Sequence, residues 1–127
     1  MIFFLACVTI PDEAPAVSYD RDACHSCGML VSEPRFAVQL VTAEGEVLRY
    51  DDPACLFRDM VSTTPSVARM WFRDSTSPTE AWIPWTSVAF VPADGSPMNG
   101  GLAAVPMGTP GALSFGEASN RVLGGGQ

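Results

Sequence analysis

A chain of 127 residues has room for one domain with a single buried core and short tails. With 47% hydrophobic and 17% charged residues, its composition is that of a globular protein rather than a disordered or membrane-spanning one. The net charge is −7 and all seven basic residues are arginine, so no lysine-rich strip can neutralise phosphates, which argues against nucleic acid as a partner.

The first residues, MIFFLAC, are apolar but lack a positive n-region and are too few for a complete export signal. Phe4-Leu5-Ala6-Cys7 approximates the end of a bacterial lipoprotein signal, in which small residues precede a diacylated cysteine. On that reading the signal begins upstream of Met1 and Cys7 is the lipidated first residue of the mature protein. The alternative is an N-terminal strand with Cys7 buried.

Residues 8–20, VTIPDEAPAVSYD, hold two prolines and no apolar period, and read as an extended tether. At about 3.3 Å per residue, such a tether reaches up to roughly 40 Å from a membrane. The domain division is therefore an anchor and tether over 1–20 and a folded domain over 21–127.

CHSCGM follows at 24–29, and then RFAVQLV, in which Phe36, Val38 and Leu40 alternate with Ala37 and Gln39. With Glu44-Gly45 as the turn, this predicts a hairpin of strands 35–42 and 46–50. Asp52-Pro53 is an N-cap followed by a first helical residue, and Leu56, Phe57, Met60 and Val61 recur at helical spacing, predicting a helix over 53–62. Thr63-Thr64-Pro65 ends it.

A similar order recurs afterwards: ARMWF at 68–72, the polar loop DSTSPTE, AWIPWTSVAFVPA, GGLAAVPM, and a short helix around 110–119. A last strand is expected from Arg121. The fold class is α+β, two small strand-strand-helix-strand modules.

The chemistry concentrates in CHSCGM. A dithiol oxidoreductase built on Cys24 and Cys27 needs a helix opening at the motif to lower a thiol pKa, and here Gly28 and Pro34 lead to a strand. Haem attachment needs histidine directly after the second cysteine, where Gly28 stands. Structural zinc needs four ligands, and beyond Cys24 and Cys27 only His25 and Cys55 are at hand.

Copper(I) is softer and accepts thioethers, so Met29, two residues past Cys27, favours it. Cys24, Cys27 and Met29 then supply sulfurs from one loop. Met98 in SPMNGG and Met107 in VPMGT compete as the distant ligand, whereas Met60 and Met70 read as core. Cys55 beside Leu56 reads as a small buried residue or an added ligand, and His25 as a ligand or a hydrogen-bonding support.

The run DACHSCGMLVSEPRFAVQLVTAEGEVLRYDDPACLF resembles the NosL family of bacterial lipoproteins, and WIPWTSVAFVPADGSPMNGGLAAV is similar to that family's second half. The resemblance covers about residues 22–123. It implies a non-enzymatic copper(I) chaperone anchored at the periplasmic face of a membrane, which supplies copper to nitrous oxide reductase or its assembly complex. It also implies a fold like that of organomercurial lyase, and it prefers Met98 over Met107. Asn99, between Met98 and Gly100, departs from the family's Met-Gly turn. The rival readings are thiol-disulfide exchange through Cys24 and Cys27, organomercurial cleavage through those cysteines or Cys55 with Asp51 or Asp52 nearby, and a structural zinc domain that mediates protein contacts.

Overall fold

The computed structural model describes residues 8–97 and 100–124. Two antiparallel sheets and two helices make up an α+β fold: β1 (Val38–Thr42), β2 (Val47–Tyr50), α1 (Pro53–Ser62), β3 (Val67–Arg73), β4 (Trp82–Pro84), β5 (Val88–Pro92), β6 (Leu102–Pro106) and α2 (Phe115–Leu123). The first four strands form one sheet in the order β2-β1-β3-β4, and β5 pairs with β6 in a second.

The hairpin forms as the alternation requires, with Val38 opposite Tyr50 and Leu40 opposite Leu48. Gly45 turns it at φ +86°, a region glycine enters without a steric penalty. Val38, Leu40, Leu48, Tyr50, Met70 and Phe72 point to one side of the sheet, where they meet Leu56 and Phe57 of α1. Phe57, Phe72 and Phe90 pack edge-to-face in this core, and Phe115 joins them from the start of α2. Each such pair adds about 1 kcal/mol beyond area burial.

Helix α1 covers the predicted 53–62, capped by the Asp52 carboxylate, which accepts from the Cys55 N–H at 3.0 Å. The second helix lies later than 110–119. Ser114 and Glu117 form a capping box that starts it at Phe115, after Pro110 and Gly111 have been used in turns. Arg121 is consequently helical, and the strand expected there is replaced by the last turn of α2. AWIPWTSVAFVPA divides into β4, a 3₁₀ turn over Trp85–Ser87, and β5. Pro84 has no N–H to extend the ladder, so the chain leaves the first sheet there.

The opposite face of the first sheet carries Gln39, Arg49, Arg69, Trp71, Arg73 and Trp82, and residues 8–19 run against it. Arg69 Nε donates to Pro11 O at 2.9 Å, Gln39 Nε2 to Pro15 O at 2.6 Å, and Arg49 Nη2 to Ala16 O at 3.0 Å. Tyr19 hydrogen-bonds Arg73, whose guanidinium stacks on Trp82 at 4.3 Å. The segment expected as a tether thus contains a described strap that is extended and strand-free but held at several points. Cys7 lies outside the described residues.

Candidate metal centre

CHSCGM closes on itself. The Cys24 N–H donates to Met29 O at 2.7 Å and the Gly28 N–H to Cys24 O at 2.9 Å, with Gly28 at φ +78° making the turn. Two bonds pin this loop to the domain. The His25 N–H donates to Arg49 O of β2 at 2.8 Å, and His25 Nδ1 lies 2.9 Å from Asp59 Oδ2 of α1. Asp59 is 2% exposed and also accepts from the Tyr50 hydroxyl at 2.5 Å and the Thr63 hydroxyl at 3.0 Å.

The loop thereby meets the first turn of α1. The Sγ atoms of Cys24, Cys27 and Cys55 all lie within 4.8 Å of one another, with Cys24 and Cys55 buried and Cys27 partly exposed. Two sulfurs on one ion, each at about 2.3 Å, stand at most about 4.6 Å apart, so small rotations of the side chains suffice to close around a metal. Neither a histidine nor a carboxylate completes this group among the described residues.

One of the three thiols is poised as a thiolate. Cys55 donates a hydrogen bond to Cys24, and this, helped by the backbone N–H groups of Cys27, Asp51 and Ser26 and opposed by burial, brings the Cys24 pKa down to about 5. The same hydrogen bond, with burial and nearby Asp52, pushes Cys55 far up; burial chiefly raises Cys27. The positive end of α1 also favours negative charge at its first turn.

Asp51, 2% exposed, stands beside this thiolate with its Oδ1 unpartnered among the described residues. Burial first, and then the charges of Cys24 and Asp52, raise its carboxyl to about 6.

The remaining sequence-derived ligands fall in different places. Met29 directly follows the loop's turn and is 59% exposed. Met107 is 63% exposed and its N–H donates to Ser87 O, at the end of β6 remote from Gly100. Met98 lies outside the described residues. Its neighbour Gly100 packs on α1 so closely that an added Cβ would stand 2.5 Å from the Ala54 Cβ. His25 is outside the three-sulfur group and is engaged with Asp59. Met70 is buried and Met60 packs against the core.

Sequence reasoning had no signal for Asp59, which follows Arg58 and looks like an exposed helix residue. For Cys55 the cue was the Asp52-Pro53 cap, which puts it in the first turn; spacing alone could not show what that turn faces.

No family model matches the sequence, and no curated protein matches it. Among solved structures, the fold is similar to the crystal structure of the copper chaperone NosL from Shewanella denitrificans. The TM-score is 0.60 at 21% identity, over 90% of this chain and 87% of that one. The likeness is one of fold, an α+β arrangement of two antiparallel sheets and two helices, and the three-cysteine cluster seated in it has a donor set that fits copper.

Proposed function

We propose that the protein is a copper(I) carrier, holding the ion as cargo among Cys24, Cys27 and Cys55. The observation that carries this reading is the convergence of the three sulfurs within 4.8 Å. Copper(I) is satisfied by two or three soft ligands, whereas structural zinc calls for a closed set of four. Cys24 as a resident thiolate supplies the first charge-bearing ligand without waiting for a proton to leave.

Transfer needs ligands that a partner can displace singly. Exposed Met29 and partly exposed Cys27 suit that role, and the NosL resemblance adds Met98 as the distant thioether. The client is a copper enzyme, nitrous oxide reductase by the resemblance of CHSCGM and its flanks to NosL proteins. The setting is the periplasm, with membrane attachment through Cys7. The acidic chain favours a partner with a basic docking patch.

Anaerobic titration of the reduced protein with copper(I) against a competing chelator tests the reading. One equivalent should bind, with X-ray absorption showing a sulfur-only shell, and Cys24→Ser or Cys55→Ser should weaken binding strongly. Unchanged affinity in the Cys24→Ser, Cys55→Ser double variant would sink the cluster as the copper site. A Met29→Ala, Met98→Ala variant that transfers copper to a competing thiol at the wild-type rate would remove the thioethers from the hand-over.

A further inference from the structure

The first sheet is incomplete along one edge. Strand β3 spans Val67–Arg73, but β4 pairs only with Trp71–Arg73 before Pro84 ends the ladder. Residues 67–70 therefore have a strand neighbour on the β1 side alone, and of these Val67, Ala68 and Arg69 reach solvent while Met70 is buried. Beside this open stretch lies a cleft of about 470 Å³, walled by Ala68, Arg69 and Met70, by Trp71, Trp82 and Trp85, and by Asp12 and Glu13 of the strap.

We infer that this cleft receives an extended, basic segment of a partner protein, which adds to the β3 edge as a strand. Three observations converge on that occupant. An open strand edge offers a row of backbone donors and acceptors that only another extended backbone matches. The cleft volume falls within the roughly 300–1,000 Å³ of working binding sites, and tryptophan is a preferred anchor at interfaces; Trp85 remains 41% exposed. The strap supplies the charge: Asp12 is engaged with Arg69 at 3.3 Å, while Glu13 has no ion pair among the described residues. The rim is therefore net negative and selects lysine or arginine on the incoming strand.

The cleft is separate from the thiols. The cleft lies on the β3–β4 side of the sheet, whereas the thiol loop is pinned to β2 through Arg49 O, with β1 standing between β2 and β3. A strand bound here leaves the cysteine cluster uncovered, and the inference does not depend on which metal the cluster holds.

Two capped hexapeptides, alternating valine–lysine and alternating valine–glutamate, serve as probes in amide NMR and tryptophan fluorescence titrations of the full chain. The valine–lysine peptide should shift the amides of residues 67–69 and the Trp85 indole and slow hydrogen exchange along that edge. Glu13→Gln should weaken it about fivefold, as expected for a rim charge, and Trp85→Ala about tenfold. Glu13 is exposed, so its change leaves the fold intact; Trp85 also packs edge-to-face on Phe115, so Trp85→Ala is read only with its thermal melt alongside, and Glu13→Gln keeps the proposal falsifiable. Equal binding of the two peptides, shifts confined to other surfaces, or binding unaltered in both variants would overturn the proposal. So would a small cation such as tetramethylammonium reproducing the tryptophan shifts while the peptide leaves the β3 amides unmoved.

Discussion

His25 Nδ1 and Asp59 Oδ2 stand 2.9 Å apart, so a buried carboxylate on α1 grips the side chain that lies between the two loop cysteines. Burial alone would raise the Asp59 pKa, but hydrogen bonds from Tyr50, His25 and Thr63 outweigh it and hold the carboxyl below its ordinary value. A depressed carboxyl contributes stability above the unfolded-state pKa and loses it as pH falls through the folded value. Asp59→Ala should cost about 3 kcal/mol at neutral pH, because three donors lose their acceptor, and the deficit should shrink in acid below about pH 4. Urea unfolding at the two pH values measures both.

Asp51 has the opposite sign. Its carboxyl titrates at about 6, mainly because burial disfavours the charged form, so its contribution is intact below the unfolded value near 3.8 and is lost as pH rises through 6. Asp51→Asn should therefore stabilise the reduced, metal-free protein by about 2 kcal/mol at pH 7.5 and hardly at all near pH 4. Denaturation midpoints that move equally at both pH values would refute the assignment.

The thiols should titrate one at a time. In a Cys7→Ser chain, ultraviolet thiolate absorbance should show a single cysteinate appearing near pH 5 and the other two cluster thiols only at alkaline pH. Cys24→Ser should remove the early step, and Cys55→Ser should shift it upward, since the Cys55 thiol is the principal donor to Cys24.

Gly100 lies where any side chain collides with α1. Gly100→Ala puts a methyl carbon 2.5 Å from the Ala54 Cβ and close to the Asp52 carboxylate. The substitution should lower stability by about 2 kcal/mol and weaken metal binding as the chain beside Met98 moves off the helix. Ala54→Gly in the same chain should restore much of both, which a thermal melt and the copper titration together would detect.

The strap depends on Gln39, which is fully buried, donates to Pro15 O at 2.6 Å and accepts from Arg49 Nε at 3.1 Å. Gln39→Ala should cost about 1–2 kcal/mol and loosen residues 11–16. Faster proteolysis within that segment, with the core amides still protected from exchange, is the expected pattern.

Much of the architecture was legible because it follows from local rules. Alternating Val38 and Leu40 imply a strand, Asp52-Pro53 caps a helix, and the 53–62 period sets its apolar face; none of these needs a distant partner. The second helix starts at Phe115 rather than near 110 because the Ser114–Glu117 capping box opens it, while Pro110 and Gly111 are used in turns. The thiol-rich loop announced a soft-metal chemistry, since donor type is a property of the residues themselves. What only the tertiary structure decided was who meets whom. Cys55 and Asp59 face the loop because α1 packs across the hairpin's end. Met107 is carried to the remote end of β6. Residues 8–19 become a strap because Gln39, Arg49 and Arg69 share the sheet face beneath them. Those juxtapositions arise from the packing of the whole core, in which residues far apart in sequence are brought together by the area they jointly bury, and no local pattern records that.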